Sequence, residues 1–309
     1  MITVQNLSRN YGDFVAVNGV SFEIPRGSVV GLLGHNGAGK TTIMKMLTGY
    51  LEPTKGVARI DGQDITSDRV SAQRKIGYLP ENSPTYPEMT VVDYLEYVAE
   101  LRDIPKSQQG DAIKKAIQRT RLQEKAVDFI NTLSRGYRQR VGVAQAVLHE
   151  PDILILDEPT NGLDPNQIQE MRQLIRDLSE RSTVILSTHI LQEVSAVCDR
   201  VLILSRGKLV LDSSLDDLST RNNFILETDA SLETVRESLK DVSTVDSVDT
   251  LGTLNGTGPM RSSYRLHLKK EDLAAAADIT KKLIEKGTNL YSFKPEERNL
   301  ESIFREVSA

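Results

Sequence analysis

The chain has 309 residues, 39% of them hydrophobic and 26% charged, with a formal net charge of −5. That length and balance suit a folded globular protein of two domains, and the acidity disfavours a broad nucleic-acid surface, which needs clustered Lys and Arg. No apolar run approaches the roughly 18 residues of a membrane span, and the N-terminus MITVQNLSRN lacks the apolar core of a secretory signal, so a cytosolic chain is expected.

Residues 1 to about 80 read as short strands with turns. Val29 to Leu33 is an apolar run of the kind a buried strand shows, while Ile43, Met44, Met46 and Leu47 fall at helical spacing. Between them, GHNGAGKT matches G-x-x-x-x-G-K-[ST], a loop whose backbone N–H groups cradle phosphates at the positive end of a helix. Gly34, His35, Asn36, Gly37, Ala38 and Gly39 form that cradle, continuing through Thr42. In this reading Lys40 reaches the terminal phosphates and the Thr41 hydroxyl holds Mg²⁺, so the ligand is a nucleoside triphosphate.

Around Thr90 the pattern turns helical. Thr90 with Asp93 resembles a capping box ahead of Val91, Leu95, Val98 and Leu101, and a second helix is expected from Gly110 to about Leu122. Ser134, in LSRGYRQR, caps a third helix carrying Val141, Ala144 and Leu148. Ser134 and Gly136 at that N-terminus make a second anion site.

Strand character returns at Asp152 to Asp157, a continuous apolar run ending in Asp157 and Glu158. A strand-end carboxylate at Asp157 can hold Mg²⁺, and Glu158 beside it can act as base toward an attacking water. Asp164-Pro165 starts an amphipathic helix, Thr183 to Ser187 is a strand, and His189 follows it where it would sit beside the γ-phosphate. Cys198, the single cysteine, stands among Leu191, Val194 and Val197 and reads as a core residue. A hairpin turned at Arg206-Gly207 closes this part near residue 215.

Beyond Arg221 the order is strand (224–228), helix (232–239), strand (245–251), strand (264–268), helix (272–284), strand (290–293). That βαββαβ order suggests a small α+β, ferredoxin-like domain with a polar loop at 252–258. One nucleotide loop and one separate anion site in a chain invite a dimer in which each anion site closes over the partner's ATP.

The ordered set GHNGAGKT, LSRGYRQR, ILILDEPT, NGLD and STH resembles the ATPase subunit of an ATP-binding cassette (ABC) transporter over residues 1 to about 215. IGYLPE, LSRGYRQR and the short C-terminal domain further resemble the single-ATPase subunits of ABC-2 type exporters, including the gliding-motility and sodium or drug efflux groups. The resemblance implies an α/β P-loop NTPase core with an antiparallel β subdomain and a helical subdomain at about 82–150, the whole spanning 1–220, followed by an accessory domain at 221–309. It implies that Tyr11 stacks on adenine, Lys40 and Thr41 serve phosphates and Mg²⁺, Asp157 serves Mg²⁺, Glu158 is the general base, His189 the γ-phosphate switch and Asp164 a contact across the dimer. Two departures stand out. The family's LSGGQ is here Leu133-Ser134-Arg135-Gly136-Tyr137, and its usual glutamine, a metal ligand, is Glu81.

The expected function is therefore a transport motor: a homodimer around two ATP that drives a separately encoded membrane permease from the cytoplasmic side of the inner membrane, with no nucleic-acid partner. A non-transport ABC ATPase and an ATP-dependent regulator acting through the C-terminal domain are the alternatives.

Overall fold

The computed structural model describes residues 1–83, 85–218, 223–240, 242–254, 261–269, 275–296 and 300–308. Elements are numbered in chain order. First come β1 (Ile2–Tyr11), β2 (Phe14–Ile24), β3 (Val29–Leu33), α1 (Lys40–Leu47), β4 (Lys55–Ile60), β5 (Gln63–Asp64), α2 (Arg69–Arg74) and β6 (Ile76–Leu79). Three helices follow, α3 (Val91–Leu101), α4 (Lys106–Arg119) and α5 (Arg135–Val147). Then come β7 (Ile153–Asp157), α6 (Pro165–Ser179), β8 (Thr183–Thr188), α7 (Leu191–Val197), β9 (Arg200–Ser205), β10 (Lys208–Ser214) and α8 (Leu215–Leu218).

Two sheets build this region. The antiparallel sheet has the order β2-β1-β4-β5, and the second has the order β10-β9-β3-β8-β7-β6. In the second, β9, β3, β8, β7 and β6 run parallel and only β10 is antiparallel. Every residue of β3, β7 and β8 is buried, as expected of strands covered on both faces. Ile43, Met44, Met46 and Leu47 of α1 join Val30, Leu32, Ile155 and Ile185 in one core with Ile2, Val4 and Phe22 of the antiparallel sheet. Burying such side chains contributes about 1.5–3 kcal/mol each, enough to hold the strand ends that carry the polar residues described below.

Helix α4 begins at Lys106, four residues before the expected start, and Gly110 lies exposed inside it. Pro105 supplies the boundary because its fixed φ suits a helix entry. Asp164 caps α6 by accepting from Gln167 N–H at 2.9 Å, with Pro165 first in the helix. Cys198 is buried and unpaired with another cysteine, and burial pushes its thiol pKa up.

The chain divides into two compact units, Met1–Leu215 together with the end of the chain from Phe304, and Asp216–Ile303. The second contains β11 (Asn223–Thr228), α9 (Leu232–Leu239), β12 (Val245–Leu254), β13 (Arg261–Leu268), α10 (Ala275–Glu285) and β14 (Leu290–Pro295); α11 (Leu300–Ser308) ends the chain. Its sheet order is β12-β13-β11-β14, all antiparallel, with Val235 and Leu239 of α9 and Ile279 and Leu283 of α10 packed with Phe224, Leu226 and Leu266 of the sheet. This is the split βαββαβ arrangement. Residues 255–258 of the expected polar loop and 272–274 of the expected helix lie outside the described residues. Helix α11 was not anticipated from the sequence.

Candidate functional site

The site is built at the carboxyl ends of three adjacent parallel strands. Register places Leu33 opposite Thr188 and Asp157 opposite Ser187, so β3, β8 and β7 end side by side. Ligands of open α/β sheets bind at this edge. From β3 the chain turns through Gly34 to Gly39 into α1. Gly39 has φ +106°, and a Cβ there would come within 2.7 Å of the Ala16 carbonyl oxygen, so only glycine closes the loop this tightly.

Lys40, first in α1, is buried and donates through Nζ to the Gly34 carbonyl at 2.7 Å and the His35 carbonyl at 3.4 Å. Its Nζ also lies 3.5 Å from Glu158 Oε1. Glu158, just past β7, takes the left-handed conformation, φ +50°, while its N–H donates to Ser187 O at 3.1 Å. A non-glycine residue held there stores backbone strain, and such strain clusters at functional sites. His189 Nδ1 lies 2.9 Å from Glu158 Oε2, with the ring N–H as donor because a carboxylate only accepts.

Asp157 is fully buried at the end of β7, where Ser187 Oγ donates to its Oδ1. Its Oδ2 is buried with no hydrogen-bond partner among the described residues. Glu81 accepts from Asn161 Nδ2 at 3.4 Å. Negative charge gathers here: burial first, then the charges of Asp157 and Glu81, push the nearby Tyr78 phenol pKa up. An orphaned carboxylate oxygen in a negative field fits a divalent cation. Among the described residues no three His, Cys, Asp or Glu side chains form a protein-only metal cage, so such a cation would complete its shell with phosphate and water.

These groups line one cavity of about 420 Å³. Of the residues singled out from the sequence, Tyr11, Asn36, Gly37, Gly39, Lys40, Thr41, Thr42, Glu81, Glu158 and His189 line it; Asp157 lies buried one residue before Glu158. Gly34, His35 and Ala38 belong to the loop without lining the cavity. Ser134 and Gly136 line a separate depression with Gln167 and Glu170. Ser134 caps α5 by accepting from Tyr137 N–H at 3.4 Å. A Cβ at Gly136 would meet the Gln167 amide carbon at 2.8 Å, so a larger residue there would displace the end of the Gln167 side chain. Sequence reasoning missed Phe14, Ala16 and Asn161 as lining residues. Phe14 is 64% exposed three residues after Tyr11, and a pair of aromatics flanking the Gly12-Asp13 turn was the available signal.

A family profile described as ABC transporter matches residues 17–161, and one described as AAA domain, putative AbiEii toxin, matches residues 131–195. The bacitracin transport ATP-binding protein BcrA of Enterococcus faecalis is 36% identical over 234 residues, 75% of each chain. The chain belongs to the ABC transporter ATP-binding protein family. An uncharacterized ABC transporter ATP-binding protein of Bacillus subtilis, YhcH, is 33% identical over 310 residues, covering 100% of this chain and 96% of its own. Among solved structures, a dimeric bacterial ABC transporter cassette superposes with a TM-score of 0.64 at 25% identity, covering 70% of this chain and 99% of that one. In this ABC ATPase the family profile falls within the compact unit Met1–Leu215, and the βαββαβ unit follows in the chain. The expectation of an ATP-hydrolysing transporter subunit on a P-loop fold holds.

Proposed function

We propose that two copies of this chain close around two ATP and drive a membrane permease, with the cassettes on the cytoplasmic face of the membrane. One observation carries the reading: Lys40, Glu158 and His189 converge on one cavity, while Ser134 and Gly136 line another. A helix N-terminus that binds an anion is of use to ATP only when a neighbouring copy presents it.

Lys40 neutralises terminal phosphate oxygens and the backbone N–H groups of the glycine loop orient them. Tyr11, 46% exposed, offers a face to adenine with the Arg9 guanidinium 4.9 Å from its ring centre. Glu158 accepts the proton of the attacking water, and His189, which holds its carboxylate, faces the γ-phosphate. Thr41, Asp157 and Glu81 would hold Mg²⁺, which supplies charge neutralisation to the phosphates when bound. Asp164, exposed at the start of α6, faces the second copy.

No helix among the described residues is long and apolar enough to cross a membrane, so a transporter built on this chain needs a spanning partner. The likeness to a protein named for bacitracin transport supports a role in transport. Affinity purification of the tagged chain from membranes tests the reading: recovery of an integral membrane protein supports it, and recovery of the cassette alone, with full ATPase activity, opposes it.

A further inference from the structure

Glu193 is the most enclosed acid in the cassette after Asp157, 1% exposed on α7. Among the described residues no cation pairs with it. Its carboxylate is held instead by two buried hydroxyls, one in the turn after β7 and one at the end of β8: Thr160 Oγ1 donates to Oε1, and Thr188 Oγ1 donates to Oε2 at 2.6 Å. Thr188 Oγ1 in turn accepts from Ile190 N–H at 3.0 Å, fixing the turn that contains His189. Thr160 lies two residues after Glu158 in the turn where Asn161 N–H donates to Glu158 O at 3.1 Å.

A buried carboxylate without a cation is costly, and an apolar side chain of similar length would fill the same space at less cost. What the carboxylate adds is geometry. It has two acceptors, each fixed to a hydroxyl within two residues of one of the two residues that meet at 2.9 Å, Glu158 and His189. We propose that Glu193 is a positioning residue for hydrolysis: through Thr160 and Thr188 it locks the turn carrying Glu158 to the turn carrying His189, so that base and histidine keep one mutual geometry. The inference rests on the reading of Glu158 and His189 as the groups at the γ-phosphate. It predicts an effect on turnover rather than on ATP binding, because Glu193 lines no part of the cavity and misplacing a catalytic group by about 1 Å can cost on the order of 10²-fold in rate.

The test is steady-state ATPase activity against ATP concentration, with thermal midpoints, for the full chain carrying Glu193→Met, Thr160→Val, Thr160→Ser or Glu158→Gln. Glu193→Met and Thr160→Val should lower kcat roughly tenfold or more with KM for ATP within about twofold, and Thr160→Ser, which keeps the hydroxyl, should retain the wild-type rate. A Glu193→Met protein with an unchanged or higher midpoint and a low kcat separates positioning from support of the fold. Should that variant fail to fold, the Thr160 valine and serine pair decides. Wild-type kcat in Glu193→Met, or in Thr160→Val, overturns the brace while a slow Glu158→Gln keeps the base in place; a fast Glu158→Gln overturns the reading beneath it as well.

Discussion

His189 Nδ1 and Glu158 Oε2 stand 2.9 Å apart, while Lys40 Nζ lies 3.5 Å from the other oxygen of the same carboxylate. One acid therefore connects the phosphate-loop lysine with the histidine after the neighbouring strand. A carboxylate held on both oxygens has little rotational freedom, which is what a base aimed at one water requires.

Replacing Glu158 with Gln keeps the shape, leaves one amide oxygen where two carboxylate oxygens accepted, and removes the proton acceptor. Turnover should fall by roughly 10²–10⁴ with ATP binding retained. Single-turnover hydrolysis beside a nucleotide-binding isotherm measures both, and a wild-type rate would remove Glu158 from the role.

Glu81 lines the cavity, and its partner is Asn161 at 3.4 Å. As a Mg²⁺ ligand it contributes charge as well as an oxygen. Glu81→Gln should then leave maximal hydrolysis largely intact while raising the free Mg²⁺ needed for half-maximal rate. Superimposable Mg²⁺ curves for the two proteins would retire the coordinating role.

Local patterns were legible and long-range ones were not. The β3-loop-α1 unit could be read because glycines, lysine and threonine fall at fixed spacing between two apolar runs, and β7 because its unbroken apolar run ends in Asp157-Glu158. The bounds of α9 were read as Leu232–Leu239, where Ser231 accepts from Thr234 N–H at 3.2 Å. By contrast α2 is six residues with one buried side chain and leaves little periodic signal. Glu193 looks like a surface charge in LQEVSAV, since Thr160 reaches it from 33 residues away. For Phe14 the local signal, two aromatics flanking the Gly12-Asp13 turn, is present but incomplete, because its place at the cavity is set by how the β1–β2 hairpin meets the phosphate loop.

His149 gives a pH signature. Burial first, then the charge of Arg102, lowers its pKa from 6.5 to about 4, and Nε2 is bonded to Ile76 O at 3.1 Å. The unfolded chain binds a proton near pH 6.5 that the folded chain refuses until about pH 4, so this contribution to stability is complete above 6.5 and is lost as pH falls toward 4. Urea midpoints at pH 7 and pH 4.5 should drop less for His149→Gln than for the wild type. Equal drops would show that His149 is not the group responsible.

We predict that the neighbourhood of the exposed aromatics after Glu81 docks a cytoplasmic helix of the membrane partner. Tyr86 is 44% exposed, with its ring edge-on to Tyr97 at 5.4 Å. Alanine at Tyr86 and Met89 should uncouple transport while sparing basal ATPase, read as substrate flux per ATP in reconstituted vesicles. Unchanged flux would place the docking surface elsewhere.

In the proposed dimer each ATP site is completed by a second copy through Ser134 and Gly136. Light scattering on Glu158→Gln with saturating Mg-ATP measures this: the particle should have twice the chain mass of 34.3 kDa, and adding Ser134→Arg should return it to the single-chain value. A Glu158→Gln protein that stays at 34.3 kDa with Mg-ATP and with its membrane partner present, or a dimer indifferent to Ser134→Arg, would contradict the composite site.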